Sequence, residues 1–109
     1  MDGLKRCITM AREVKADMVR IMSFRRDMIL FGKGGAEHWV VAKGAWDKLL
    51  ELLAPPVKLA EEEGVHLVLE TGNNAMVPSG YLGGKLIREI ASPNLKILWD
   101  PANSLYANE

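Results

Sequence analysis

Two apolar runs in this chain end on a carboxylate. VHLVLE, residues 65–70, closes on Glu70, and NLKILWD, residues 94–100, closes on Asp100. Two acids that converge on one place repel each other unless a cation stands between them. A divalent metal is the common solution: oxygen ligands suit Mg²⁺ and Mn²⁺, and histidine-rich sites suit Zn²⁺. The plain alternative is that each acid caps a neighbouring helix or pairs with a Lys or Arg. The pattern alone leaves both readings open.

Other residues that could do chemistry are fewer. Asn73 and Asn74 follow Glu70 in what reads as a loop, where they either hydrogen-bond a sugar hydroxyl or simply make a turn. Arg25 and Arg26 follow an apolar run at 18–24 and either hold a phosphate or form a solvated pair. His66 stands near the start of its run, away from the acid end, and reads as structural. His38 lies in a long connection, where it could approach a substrate. FGKGGAE fails as a dinucleotide motif because Glu37 stands where the third glycine belongs. GGKL fails as a phosphate loop because Leu86 replaces Ser or Thr. Glu61, Glu62 and Glu63 read as a solvated helix end, poorly placed for the helix dipole.

The elements that must position these groups are legible from periodicity. GLKRCITMAREVKA, 3–16, has Leu4, Cys7, Ile8, Ala11 and Val14 at helical spacing. Cys7 is expected on the buried face of that helix. MVRIMSF, 18–24, reads as a strand, and 25–44 as a long functional connection or partly helical insertion. AWDKLLELLAPPVKLAEEEG, 45–64, reads as an amphipathic helix with a kink or break at Pro55 and Pro56 and a cap at Gly64. VHLVLE is the second strand. Ser79 reads as the N-cap of a helix running to about Ala91, and NLKILWD is the third strand. Trp99 is expected to face the surrounding helices, and Trp39 and Trp46 to pack helices. Strands separated by helices make parallel β/α units, the α/β class. In such folds functional groups gather beyond the carboxyl ends of the strands, so Glu70 and Asp100 can share one site.

Composition sets the outer limits. The chain has 109 residues, 49% hydrophobic, with 14 basic and 14 acidic side chains. Zero net charge gives no reason to expect nucleic acid or an anionic membrane as partner. No apolar run approaches the roughly eighteen residues of a membrane span. The N-terminus lacks a signal-peptide pattern, and one cysteine excludes an internal disulfide. A cytoplasmic location is expected.

The local sequences carry a resemblance. Ala60-Glu61-Glu62-Glu63-Gly64-Val65, then Glu70, then Pro93-Asn94 and Asp100-Pro101-Ala102-Asn103 resemble the sugar-phosphate isomerase/epimerase family, the xylose isomerase-like TIM barrels. The likeness is specific from Trp46 to Asn103 and weaker before, where KADMVRIMS resembles the family's arginine-bearing strand. It implies a partial (β/α)₈ TIM barrel, about three of eight strands, with residues 1–109 incomplete at both ends. It implies one divalent metal ion (Mn, Mg or Zn; Co is also compatible), with Glu70 and Asp100 as two of four ligands. Glu70 would also move a proton next to a carbonyl of a sugar or sugar phosphate. The family's third and fourth ligands, a His and a Glu, are not matched here. Asn103 stands where relatives with several metals, including the endonuclease branch, have His. That departure favours a single metal, with Asn103 touching substrate or supporting a ligand. Arg20 and Asn73 are the further substrate-binding candidates, Arg20 if it points inward.

The resulting expectation is a metal-dependent isomerase or epimerase in the complete barrel, with the 109-residue chain alone inactive. A dehydratase of inosose type or an endonuclease-type metal hydrolase would use the same fold. A reading of another class is a non-catalytic half-barrel that assembles with itself or with the remaining barrel segments. Open sheet edges then predict elution above 12.1 kDa.

Overall fold

The structure is a computed structural model that describes residues 1–25 and 44–106. Helix α1 spans Asp2–Glu13, strand β1 Met18–Met22, helix α2 Ala45–Glu63 and strand β2 His66–Glu70. Helix α3 spans Gly80–Ile90, strand β3 Leu95–Leu98 and the short helix α4 Pro101–Tyr106. The three strands form one parallel sheet in the order β1-β2-β3. The expected β/α succession is therefore present. His38, Trp39, Arg26 and the GKGG segment lie outside the described residues.

The pleat divides each strand between two faces. Val19, Leu67, Leu69 and Leu95 are buried with Ile8 and Ala11 of α1, Leu49, Leu53, Val57 and Ala60 of α2, and Leu82 and Leu86 of α3. The alternate residues, Met18, Arg20, Met22, Glu70, Lys96 and Leu98, look the other way. Among the described residues the helices form one layer against one face of the parallel sheet, as in the wall of a barrel, whereas a doubly wound sheet has helices on both faces. In register, Arg20 is level with Val68 and Lys96, and Met22 with Glu70 and Leu98.

Caps and close approaches hold the layers. Gly64 ends α2 in the left-handed region, at φ 68°, the conformation glycine adopts without a Cβ penalty. The Ser79 hydroxyl accepts a hydrogen bond from the Leu82 N–H and starts α3. Gly83 brings α3 onto β3: a Cβ there would lie 3.1 Å from the Ile97 side chain. Trp46 is buried between α2 and α3 and donates from its indole to Glu89, while Lys85 stands 4.7 Å from its ring centroid. These two partners hold the Glu89 carboxyl below the ordinary range, Lys85 first and Trp46 second.

Three expectations need correction. The helix at 45–63 does not break at Pro55 and Pro56. Pro55 is exposed and Pro56 half-buried, both lining a cavity with Leu4 and Ile21, while Leu53 and Val57 on either side of them are buried against the sheet. Burial of that stripe outweighs the two missing N–H donors. Cys7 is exposed, as is Val14, because the core face of α1 is narrower than its apolar content and is met by Leu4, Ile8 and Ala11. Trp99 is 56% exposed; its indole donates to the Ser104 hydroxyl of α4, so it lies over the helix that follows it. The acids at the end of α2 form the expected solvated helix end, with Glu61 and Glu62 exposed, and they have surface partners. Glu63 pairs with Arg12 of α1 at 2.5 Å, and Glu61 accepts from the Ser92 hydroxyl at 2.5 Å.

Candidate functional site at the carboxyl ends of the strands

Glu70 is the last residue of β2, on the face away from the helices. Its Oε2 accepts from Arg20 Nη1 at 2.6 Å, with the Glu70 side chain 17% exposed and that of Arg20 64%. Arg20 thus points to the open face of the sheet, toward the site and away from the helical layer. A guanidinium 64% exposed keeps much of its hydration, so this pair contributes little to stability. Its effect is to set the direction of the carboxylate.

Asp100 lies two residues past the end of β3 and caps α4. Its Oδ1 accepts from the N–H groups of Ala102 at 2.9 Å and Asn103 at 3.2 Å. Its Oδ2 accepts from the Asn103 side-chain amide at 3.0 Å. Pro101 occupies the first helical position, where a missing N–H costs nothing. Asp-Pro is a recognisable helix start, so α4 could have been expected from the sequence. Both acids therefore make the plain contacts, a cap and an ion pair. A carboxylate has about four lone-pair sites, so neither is saturated by the bonds just described.

Thr71 joins the two strand ends, and sequence reasoning passed over it. It is fully buried. Its N–H donates to the Leu98 carbonyl at 3.0 Å, its hydroxyl accepts from the Asp100 N–H at 2.9 Å, and its carbonyl accepts from the Asn103 amide at 2.9 Å. The residue after Glu70 thereby fixes the backbone of Asp100 and the side chain of Asn103. Nothing in a single Thr after a strand signals this, because the partners are about thirty residues away.

A second set of bonds ties β1 to the loop after β2. The Ser23 hydroxyl accepts from the Val77 N–H at 2.8 Å, and the Phe24 carbonyl from the Met76 N–H at 2.8 Å. Arg25 forms an antiparallel bridge with Ala75. Gly72 permits this path: a Cβ there would sit 2.9 Å from Met22 Cε. Asn73 and Asn74 are exposed at the crest of the same loop. His66 opens β2, four residues before Glu70, or about 13 Å along the strand. It is not brought to the site.

The donors at the site are oxygens of Glu70 and Asp100, which fit a hard dication of the Mg²⁺ or Mn²⁺ type. No cluster of three or more His, Cys, Asp or Glu side chains capable of holding a metal occurs among the described residues. These two acids are thus part of a ligand set rather than the whole of one. No helix among the described residues is long and apolar enough to cross a membrane.

Comparison with known proteins agrees with the geometry. Searches of curated proteins and of solved structures returned no match. A family model described as xylose isomerase-like TIM barrel matches residues 1–109. With three parallel strands, helices between them and acids at the carboxyl ends, the chain belongs to the xylose isomerase-like TIM barrel family.

Proposed function

We propose that this chain carries part of the active site of a metal-dependent isomerase or epimerase acting on a sugar or sugar phosphate. The observation that supports it best is the linkage at the strand ends. Thr71, the residue next to Glu70, holds the backbone of Asp100 and the side chain of Asn103, in a barrel fold whose functional groups gather at that end of the strands. Glu70 and Asp100 would hold one divalent ion, Mn²⁺ or Mg²⁺ by the chemistry of their oxygens. Zn²⁺ or Co²⁺ would draw nitrogen ligands from beyond the described residues. When bound, such an ion polarises carbonyl and hydroxyl oxygens of the substrate.

The chain's own residues have separable tasks in this reading. Glu70 is the candidate to take and return a proton next to the carbonyl. Arg20 fixes the direction of that carboxylate and stands within reach of an anionic or hydroxyl group on the open face. Asn103 orients Asp100 and presents an amide at the site. Asn73 is exposed on the loop beyond Glu70 and is the candidate to meet a substrate hydroxyl. Alone, the chain is expected to turn over no sugar.

The test is Mn²⁺ binding followed by electron paramagnetic resonance. Asp100→Asn keeps a good helix cap while removing the charge, and Glu70→Gln removes the other acid. Both variants should lose Mn²⁺ while keeping the wild-type melting temperature within a few degrees. Retained binding in either would show that the ion sits elsewhere.

A second reading rests on a different observation. Met18, Met22 and Leu98 are exposed together on the open face, and β1 and β3 have open edges among the described residues. Such a surface calls for a cover, either further barrel segments or another copy of the chain.

A further inference from the structure

Helix α1 carries two apolar stripes. Leu4, Ile8 and Ala11 face the sheet. Gly3, Cys7, Met10 and Val14 form the second, at spacings of four, three and four residues, turned by about 100° from the first. The opposite flank of α1 faces α2, to which Arg12 is tied through Glu63. The second stripe therefore lies away from α2, beside the edge of β1 that has no strand partner among the described residues. Met10 is 64% exposed and Val14 70%, and Cys7 is exposed. A Cβ on Gly3 would meet nothing within 4 Å.

We propose that this stripe is a self-association surface, on which α1 of a second copy packs antiparallel. The inference rests on the assembly reading above and names its surface. Reversing the stripe over itself sets Gly3 against Val14 of the second copy and Cys7 against Met10 of the second copy. Each small residue then faces a large one, twice over by symmetry, as an isologous contact requires. The charges agree. Arg6 and Glu13 flank the stripe on its solvent side, and neither forms an ion pair among the described residues. In the reversed arrangement Arg6 stands near Glu13 of the second copy, and Glu13 near its Arg6. A parallel two-fold arrangement would put the solvent flanks of the two copies on opposite sides of the pair and form neither ion pair. One helix pair is smaller than the roughly 1,200–2,000 Å² of a standard stable interface, so the dimer is reversible and concentration-dependent.

The experiment is sedimentation velocity of the full chain over a wide concentration range, with a short bismaleimide to cross-link Cys7. The two Cys7 residues fall about one helical turn apart across the axis, within reach of that reagent. Met10→Lys should abolish both the dimer and the cross-link. Arg6→Glu and Glu13→Arg should each weaken the dimer about tenfold, by turning two ion pairs into two repulsions. The double variant should restore it. Association unaffected by Met10→Lys overturns this surface while the assembly reading stands. A double variant no better than the singles overturns the antiparallel arrangement. A chain monomeric at every concentration overturns this surface and self-assembly, and leaves cover by further barrel segments as the form of the assembly reading that stands.

Discussion

The carboxyl ends of β2 and β3 and the outer flank of α1 lie in one small fold, yet they are built on opposite plans. At the strand ends nearly every polar group near Thr71 has a partner. Its N–H, hydroxyl and carbonyl are all used, and the Asp100 carboxylate accepts three hydrogen bonds. On the flank of α1, large apolar side chains stand in solvent beside unpaired charges. The first region is internally satisfied: each of its two acids is held by partners of its own. The second is satisfied only by something outside it. A site needs its geometry fixed in advance, and an association surface needs the reverse, a free energy that is gained only on contact.

The contrast can be broken in order of expected size. Leu69 is fully buried under the helical layer, one residue before Glu70. Leu69→Ala should cost about 2–5 kcal/mol, read by urea unfolding of the purified chain. Thr71→Val keeps the shape but leaves the Asp100 N–H without its acceptor. A buried donor left unpaired costs about 1–3 kcal/mol, so this variant should fall between Leu69→Ala and the caps. A Thr71→Val variant as stable as the wild type would mean that the linkage is not an organising element. Asp100→Ala removes the cap of α4 and should cost about 1 kcal/mol, whereas Asp100→Asn should cost a few tenths. Unequal loss of Mn²⁺ binding by these two would separate capping from charge at the site.

The Glu89 carboxyl supplies a milder probe of the packing between α2 and α3. Its pKa is depressed in the fold, by Lys85 and then Trp46. A depressed carboxylate contributes stability above its unfolded value, and that contribution is lost as pH falls through its folded value. Thermal melts should therefore decline below about pH 4.5, less steeply in Glu89→Gln, which cannot titrate. Equal slopes in the two proteins would remove Glu89 from the account. At the small end, Met10→Lys on the exposed stripe should change monomer stability by no more than about 0.5 kcal/mol while abolishing association. A large loss of stability would mean that the stripe is packed in the monomer.

Much of the fold was legible in the sequence because its signals are local. The alternation in VHLVLE, the glycine after AEEE and the serine before the helix at 80–90 each work within a few residues. The misreadings arose where a local rule met a distant contact. Pro55 and Pro56 argue for a break, but the continuous stripe of Leu53 and Val57 is buried by a sheet that a reader of the helix alone does not see. Cys7 and Val14 share helical spacing with Ile8 and Ala11, and spacing cannot say how wide the covered arc is.

The sequence by itself determined the parallel β/α order, the two acids at successive strand ends and the family to which they point. Each follows from residue type and short-range periodicity. Only the tertiary structure decided what those acids touch. Arg20 reaches Glu70 because β1 and β2 pair in one register, and Thr71 reaches Asp100 because β3 ends beside it. Those partners are fifty and about thirty residues away, and hydrogen bonds act over ångströms of space without regard to separation along the chain.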